Sequence, residues 1–175
     1  MHFCEIIKAD CANGPGVRES LFVSGCTNKC KGCFQPQTWD FEYGELYTKE
    51  TEELILNEAS KPYYRGLTIL GGEPFEPCNQ AGLIGLIKKF KEQNPNKDIW
   101  MFTGFTYDVD LVKGGRKYTP FTDQILDMID VLVDGKFILE EKDIRLKFRG
   151  SRNQRIIDMK KSRKTGTVVL SAEYN

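Results

Sequence analysis

Three short apolar segments recur at nearly equal intervals, and this spacing restricts the fold more than any other feature of the chain. The segments are GLTIL (66–70), DIWMF (98–102) and DVLVD (130–134), and about 32 residues separate one start from the next. This interval suits a strand, a helix and a return to a parallel neighbour. SLFVSG (20–25) predicts an earlier strand of the same kind. We therefore expect an α/β fold with a parallel sheet and helices outside it.

Helical patterns fill the intervals between these strands. They cover residues 48–60, 79–93 and 119–130. Thr48 and Asn79 are the expected N-caps of the first two helices. The apolar residues expected to face the core recur with helical periodicity; they are Leu54, Ile55, Ala59, Leu83, Ile84, Ile87 and Phe90.

The chain length sets the expected domain organisation. With 175 residues, a chain buries roughly 68–70% of its unfolded surface, which suits one domain over residues 1–175. The βα units are too few for a closed eight-stranded barrel, so we expect a partial, open (β/α) barrel. KGGRKYTP (113–120) is typical of a flexible surface loop, KKSRK (160–164) of a basic turn, and TVVLS (167–171) of a final strand.

Polar motifs follow three of the predicted strands. The cysteine-rich CTNKCKGC (26–33) follows the first strand, GGEP (71–74) the second and TGFT (103–106) the third. Ligands of parallel α/β sheets bind at the carboxyl ends of the strands. The three motifs are therefore expected to meet at one site.

The cysteine motif has the spacing Cys-x₃-Cys-x₂-Cys. A four-iron cluster takes one thiolate per iron, so three thiolates would leave one iron open to another ligand. A zinc site completed by the remote Cys78 or Cys11, or a redox disulfide, would also use these thiols. Cys4, Cys11 and Cys78 are interpreted as small buried or incidental thiols.

Composition disfavours several classes of function. Lys+Arg and Asp+Glu balance at 25 each, so no charge excess indicates nucleic-acid binding. No apolar run is long enough to span a membrane, and acids interrupt the N-terminus where a signal peptide would be apolar, so we expect a cytoplasmic protein. His2 is the one histidine, which disfavours Ser-His-Asp and Cys-His catalysis.

Two motifs together resemble a known superfamily. CTNKCKGC (26–33) is similar to the cysteine motif of the radical S-adenosylmethionine (SAM) enzymes, and GGEP (71–74) to their Gly-Gly-Glu motif. The stretch 13–44 resembles the N-terminal signature of glycyl-radical activating enzymes. RGSRNQRIID (149–158) resembles the C-terminal signature of the activases of anaerobic ribonucleotide reductases. The resemblance covers most of residues 3–158 and implies a partial barrel of the radical SAM type.

The resemblance also implies a mechanism. In that family SAM chelates the open iron of a [4Fe-4S] cluster through its amino and carboxylate groups. A donor of the flavodoxin or ferredoxin type reduces the cluster, and the electron breaks the C5′–S bond of SAM. The 5′-deoxyadenosyl radical then takes a hydrogen atom from the glycine loop of the catalytic subunit of the reductase. No general acid or base is needed, in agreement with the lack of an anchored histidine.

Site residues follow from the same resemblance. It implies Cys26, Cys30 and Cys33 as the cluster ligands. The implied SAM contacts are Gly71, Gly72 and Glu73 for the amino group, and Lys31, Gly32 and the ring of Phe34 for the adenine. Thr103 and Gly104, after the next strand, are expected either to line the ribose or methionine pocket or only to shape a turn. Lys136 is expected either to pair with the carboxylate of SAM or to be a solvated lysine. The chain departs from the family pattern at Gly32, where many members have an aromatic residue, and at Arg152, which replaces a serine.

Other polar residues receive wider roles. Arg18 is expected either to stabilise cluster or carboxylate charge or to form a surface ion pair, and Asp134 either to assist SAM binding or to cap a turn. Residues 153–155 (Asn-Gln-Arg) are expected to organise the mouth that faces the partner. Trp39 and Trp100 are expected to pack in the core or at its rim.

Two other functions remain open at this stage. One is a small radical SAM enzyme of the deazaguanine synthase type, acting on a small molecule. The other is a non-enzymatic adaptor that binds zinc or a cluster. The adaptor leaves GGEP and the βα spacing without a purpose, and RGSRNQR (149–155) disfavours the small-molecule enzyme.

Overall fold

The structure is a computed structural model that describes residues 1–174, and its centre is one seven-stranded sheet. The strands are β1 (His2–Asp10), β2 (Arg18–Val23), β3 (Glu45–Leu46), β4 (Gly66–Gly71), β5 (Asp98–Phe102), β6 (Val131–Asp134) and β7 (Arg155–Asp158). Their order is β3-β1-β2-β4-β5-β6-β7. The four strands β2, β4, β5 and β6 are parallel, and β1, β3 and β7 pair antiparallel with their neighbours.

The predicted α/β class and the four parallel strands are confirmed, but the prediction of an all-parallel sheet is wrong at both edges. The edge strands lack the continuous apolar runs that identify the central strands in the sequence. β1 is half exposed and has two register irregularities against β2, and β7 has only four residues. The predicted last strand at 167–171 is also wrong, because this segment forms only an isolated bridge from Leu170 to Ile157.

The helices pack against one face of the sheet. They are α1 (Lys49–Ala59), α2 (Pro77–Gln93), α3 (Tyr107–Asp110), α4 (Thr122–Met128) and α5 (Met159–Thr165), with short 3-10 helices at Pro36–Trp39 and Leu139–Glu141. The helix α1 contacts α2, α2 contacts α4 and α4 contacts α5. Their apolar sides share a core with Leu21, Ile69 and Met101 of the parallel strands.

Details of two helices differ from expectation. Thr48 caps α1 as predicted, accepting a hydrogen bond from the Thr51 amide. Leu54 points to solvent, however, and Leu56 takes its place in the core. The cap of α2 is Glu76, three residues before the predicted Asn79, because Pro77 starts the helix and suits its first position. Ile84 is only partly buried, while Leu83, Ile87 and Phe90 are fully buried.

The opposite face of the sheet carries the functional site. Side chains of a strand alternate between the two faces, so Phe22, Leu70 and Phe102 lie opposite the core residues that precede them. These three residues are in register on β2, β4 and β5, and they line one cavity on this face of the sheet. They form an apolar wall at the carboxyl ends of the strands.

The loop 113–120 is held by side-chain bonds instead of being the free surface loop that its composition predicts. The Lys117 ammonium lies 2.7 Å from the buried Glu76 carboxylate, and the Lys117 carbonyl accepts from Gln80. Arg116 pairs with Asp110 at 2.6 Å. Glu76 and Gln80 lie 41 and 37 residues from Lys117 in the sequence, so local composition could not reveal these two anchors. No helix among the described residues is long and apolar enough to span a bilayer.

Glu19 of β2 gives the folded protein a pH-dependent stability. Its side chain is buried on the helix face and one carboxylate oxygen has no partner among the described residues, so burial raises its pKa to about 7. An acid whose pKa is higher in the folded state stabilises the fold when protonated. That stability is complete below about pH 4.5 and is lost as the pH rises through 7.

Glu19→Gln is therefore expected to raise the free energy of unfolding at pH 8 by about 1–2 kcal/mol and to change it little at pH 5. Urea denaturation at both pH values measures the difference, with the exposed Glu53→Gln as control. An equal effect at both pH values would show that titration of Glu19 is not the cause.

Candidate metal and cofactor site

The three polar loops converge, as the sequence predicts, on one cavity at the carboxyl ends of the parallel strands. Its volume is about 420 Å³, within the range of small-molecule and cofactor sites. Of the predicted site residues, those in the cavity wall are Cys26, Cys30, Cys33, Phe34, Gly71, Gly72, Glu73, Thr103 and Gly104. Lys31, Gly32 and Lys136 lie outside the wall, at the exposed edge of the site.

The three cysteines line this cavity and differ in their burial. Cys26 is buried, and Cys30 and Cys33 are half-buried. Burial raises the pKa of the Cys26 thiol to about 11 and also raises that of Cys30. Backbone groups of Asn28 and Lys29 donate to the Cys26 sulfur and that of Phe137 to the Cys30 sulfur, which favours the thiolates.

The beginning of the cysteine loop is fixed by its surroundings. The Gly25 amide donates to the Thr38 carbonyl at 2.8 Å, which ties the end of β2 to the following 3-10 helix. The Thr27 amide donates to the Glu76 carboxylate at 2.9 Å. Glu76 is also the partner of Lys117, so a partly buried ion pair anchors the loop to the start of α2. The cysteines are consequently held by elements from three parts of the chain.

Glu73 joins the three loops. Its side chain is fully buried, and burial raises its pKa to about 7. One oxygen accepts from the Phe75 amide at 3.0 Å and the Thr103 hydroxyl at 2.6 Å. The other accepts from the Asn28 side chain at 2.9 Å and the Gly104 amide at 2.7 Å. These four donors occupy the four acceptor positions of a carboxylate.

Gly71 and Gly72 are required by neighbouring backbone. A Cβ on Gly71, whose φ is +105°, would lie 2.7 Å from the Val23 carbonyl oxygen, and one on Gly72 would lie 2.8 Å from the Gly25 carbonyl oxygen. The two glycines therefore let the loop after β4 pack against the cysteine loop. This packing is a structural reason for GGEP in addition to the predicted close approach of a ligand.

The segment after β6 covers the outer side of the cysteine loop. Gly32 has a φ of +75°, and a Cβ there would lie 2.9 Å from the Leu139 side chain, so an aromatic residue at this position would need a strained backbone and a shift of Leu139. Phe34 lines the cavity, although 76% of its surface is exposed, and its ring lies 6.2 Å from that of Phe137. The Lys142 ammonium lies 5.0 Å from the Phe34 ring.

Several residues of the cavity wall were not predicted. Asn28 stands between two of the cysteines and binds Glu73. Gln154 was expected only at the partner-facing mouth, but its side chain also accepts from the Gly150 amide at 2.8 Å and donates to the Gly135 carbonyl at 3.0 Å, which joins the loops that follow β6 and precede β7. The alternation of β2, β4 and β5 could have indicated the apolar wall. Nothing local in the sequence indicates Asn28 or the bonds of Gln154.

Arg18 and Asp134 have structural partners instead of the predicted roles at the cofactor. Arg18 is fully buried at the start of β2, about 16 Å of strand from the end that leads to the cysteines. It pairs with Asp98 at 2.5 Å and donates to Thr68 at 2.6 Å, so the surface ion pair is also wrong. Asp134 is fully buried, pairs with Arg155 at 2.5 Å and accepts from the Tyr107 amide at the start of α3 at 2.8 Å, in agreement with the alternative that it caps a turn.

The structure also shows the surroundings of Asn153, Trp100 and Trp39. Asn153 donates to the Lys136 carbonyl at 2.7 Å at the exposed edge of the site. Trp100 is buried as predicted and contacts Phe148 and Tyr174. Trp39 lines the cavity, and its buried indole N–H finds no acceptor among the described residues.

Among the described residues, no three His, Cys, Asp or Glu side chains are close enough together to hold a single metal ion. Cysteines that hold a four-iron cluster bind separate irons and need not converge on one point.

Comparison with known proteins identifies the family. Residues 12–157 match the profile of the 4Fe-4S single cluster domain. The chain is 40% identical over 156 residues to the anaerobic ribonucleoside-triphosphate reductase-activating protein of Vibrio cholerae, covering 88% of this chain and 96% of the relative. The proteins of the same name from Escherichia coli K12 and Enterobacteria phage T4 are both 37% identical, over 88% and 89% of this chain and 96% and 93% of their own lengths. The chain therefore belongs to the family of anaerobic ribonucleoside-triphosphate reductase-activating proteins and contains a 4Fe-4S single cluster domain.

Proposed function

We propose that this protein is a SAM-dependent activase that generates a glycyl radical on an anaerobic ribonucleotide reductase. The observation that carries the proposal is the single cavity in which the three cysteines meet the loops after β4 and β5. The activating role in the names of its relatives supports the same function. We propose that residues 1–175 form one domain and that its open sheet is a partial barrel of the radical SAM type. The cytoplasmic location of the protein stays a prediction.

The residues present fit a [4Fe-4S] cluster. Three cysteines line the cavity, and backbone donors favour the thiolates of two of them, as suits ligands whose charge needs stabilisation. We propose Cys26, Cys30 and Cys33 as ligands of three irons, with the fourth iron open to SAM. When bound and reduced, the cluster supplies the electron that splits SAM into methionine and a 5′-deoxyadenosyl radical, which takes hydrogen from a glycine of the reductase.

The rest of the cavity fits SAM. Phe22, Leu70 and Phe102 form an apolar wall, and Trp39 adds an aromatic side chain to the lining. We propose that the adenine lies near Phe34 and the backbone of residues 31–33. The ribose or methionine would lie near Thr103 and Gly104. Such a site excludes water from the reacting bond and fixes the orientation of SAM.

The charged ends of SAM would meet Glu73 and Lys136. We place the ammonium against the backbone of Gly71 and Gly72, in the field of the buried Glu73 carboxylate. Glu73 already accepts four hydrogen bonds, so it would act mainly by its charge and by fixing Thr103 and Gly104. Lys136 lies close enough to favour the Cys30 thiolate, and we propose that its ammonium pairs with the carboxylate of SAM.

The partner would enter from the side of Gly135, Gly150 and Gln154. Two of these residues are glycines, which leaves space for a peptide backbone, and the bonds of Gln154 hold that opening in shape. A deazaguanine-type enzyme or a zinc adaptor explains neither this opening nor the relationship to reductase-activating proteins. The electron donor would be of the flavodoxin or ferredoxin type.

Anaerobic reconstitution tests the proposed function. With iron and sulfide, the protein is expected to bind about four irons, as one such cluster requires. With dithionite and SAM it is expected to release 5′-deoxyadenosine, measured by chromatography. Addition of an anaerobic ribonucleotide reductase should give the electron paramagnetic resonance signal of a glycyl radical. Bound zinc without SAM cleavage would support the adaptor, and cleavage without a glycyl radical would support a small-molecule enzyme.

A further inference from the structure

Positive charge is concentrated in the two segments that surround the cysteines. Segments 26–37 and 136–155 contain nine Lys or Arg and three Asp or Glu, in a chain with 25 of each type. The rest of the chain is therefore acidic overall. The overall charge balance hides this asymmetry, because the two segments are about 100 residues apart in the sequence and meet only in the folded protein.

Direct contacts show that these segments form one surface. The Lys31 ammonium lies 3.6 Å from Glu140, Leu139 packs against Gly32, and Lys142 lies over the ring of Phe34. The turn that follows is closed by a hydrogen bond from the Asp143 amide to the Gly150 carbonyl. We call the exposed lysines of this surface the basic rim; they are Lys29, Lys31, Lys136, Lys142 and Lys147.

Acidic neighbours neutralise little of the basic rim. Asp143 is already paired with Arg145 at 2.8 Å and with Arg152 at 3.2 Å. Glu140 is 3.6 Å from Lys31, but both side chains are at least 70% exposed, and such pairs interact weakly in water. The surface therefore keeps a net positive charge.

Apart from Lys136, whose ammonium is assigned above to the carboxylate of SAM, the lysine side chains of the basic rim are placed for a macromolecule and not for the ligand inside the cavity. No lysine of the rim lines the cavity, whose one charged side chain is Glu73. Two large apolar side chains are exposed within the same surface, Phe34 at 76% and Ile144 at 91%. Apolar side chains surrounded by charged ones are typical of a protein interface, where charges guide the approach of a partner.

The rim also surrounds a short path from the cysteines to the surface. Lys31 and Gly32 are exposed, and the adjacent Cys30 and Cys33 are half-buried. An electron that reaches a cluster on these cysteines from outside would pass this surface, whereas the partner glycine must reach the cavity itself. The location of the positive charge thus matches the entry of the electron.

We propose that the basic rim is the docking surface for the electron donor, an acidic protein with a low-potential redox centre. The donor loses one electron and the cluster gains one, and no atom is transferred. The inference rests on the proposed function, since it presupposes a reducible cluster on the three cysteines. It adds where the donor binds and which charge its binding face carries.

The test reverses two charges of the rim without changing residues of the proposed cofactor site. Lys142→Glu/Lys147→Glu is compared with Lys88→Glu/Lys113→Glu, which makes the same charge change at exposed lysines outside the two segments. After anaerobic reconstitution, cluster reduction by reduced flavodoxin and by dithionite is followed by stopped-flow absorbance. Iron content and thermal unfolding establish that each variant is intact. Lys142→Gln/Lys147→Gln serves if the reversed variant is unstable.

The rim variant is expected to slow reduction by flavodoxin at least about tenfold at low ionic strength, because the charged surface guides the encounter. High salt should diminish the difference between the rim variant and the wild type. Dithionite should reduce the rim variant at the wild-type rate, and flavodoxin should reduce the control variant at the wild-type rate. An unaltered rate with flavodoxin would overturn the inference. An equal loss of reduction rate with dithionite would show that the substitutions affect the cluster itself. A loss of the glycyl radical when dithionite is the reductant would assign the rim to binding of the reductase. Each of these two outcomes would also overturn the inference.

Failure of the inference and failure of the proposed function give different results. If the wild type does not cleave SAM with dithionite, the proposed function is wrong. If it cleaves SAM and the rim variant accepts electrons from flavodoxin at the normal rate, only the docking surface is wrong.

Discussion

Cys30→Ala is expected to bind no stable four-iron cluster after reconstitution and to release no 5′-deoxyadenosine above the level without protein. Cys30 is half-buried and lines the cavity, and a backbone hydrogen bond from Phe137 favours its thiolate. Removal of this ligand leaves two thiolates, and two irons would then lack a protein ligand. Iron and sulfide analysis and chromatography measure the two effects.

Cys78→Ala is the matched control for Cys30→Ala. Cys78 is exposed on α2 and outside the cavity, so this variant should keep both the cluster and the activity. A Cys30→Ala protein that retains four irons and cleaves SAM would contradict the assignment of the ligands. Loss of cluster in Cys78→Ala would indicate that the remote cysteine is a ligand.

Glu73→Gln is expected to lower the free energy of unfolding of the cluster-free protein by about 1–3 kcal/mol. The amide group of glutamine donates where the carboxylate accepts. In one orientation it faces the Gly104 amide, and in the other it faces the Phe75 amide. Either orientation therefore leaves one buried backbone N–H without an acceptor. Urea denaturation under reducing, anaerobic conditions measures the change.

The same variant is expected to slow SAM cleavage by about 10–100-fold, as substitutions of groups that orient metal and cofactor ligands commonly do. Glu73 holds Asn28 beside the cysteines and Thr103 at the next loop, so its loss should disturb both walls of the cavity. Glu92→Gln, on an exposed part of α2, is the control. Normal stability with normal cleavage would show that the four hydrogen bonds are dispensable.

The periodicity of the sequence was sufficient for the central strands and the longer helices. The buried segments 66–70 and 98–102 are continuous apolar runs, and the helix at 79–93 has a clear apolar face. These patterns are local, because burial on both faces of a strand or on one face of a helix constrains adjacent residues. The edge strands and the caps were less predictable. Pro77 moved the start of α2, and β7 becomes a strand only through its pairing with β6.

The candidate site residues also divide into those that local spacing predicted and those whose role depends on distant partners. Spacing alone predicted that the cysteines and GGEP would meet, because both follow strands that proved to be parallel neighbours. Spacing could not separate Arg18 and Asp134 from the site, since their partners Asp98 and Arg155 lie 80 and 21 residues away. A charged residue near a motif in sequence has a functional or a structural role according to which partner the fold brings to it.

The sequence by itself determined the α/β class, the parallel order of the central strands and the three thiols at the carboxyl end of the first. Each of these depends on local periodicity or on the spacing of residues along one segment. The tertiary structure alone decided that Glu73 joins three loops, that Arg18 is buried far from the cysteines, and that the segments 26–37 and 136–155 share one positively charged surface. These features depend on contacts between residues distant in the chain, and the physical reason is that hydrogen bonds and charge interactions act through space, at distances that only the folded chain defines.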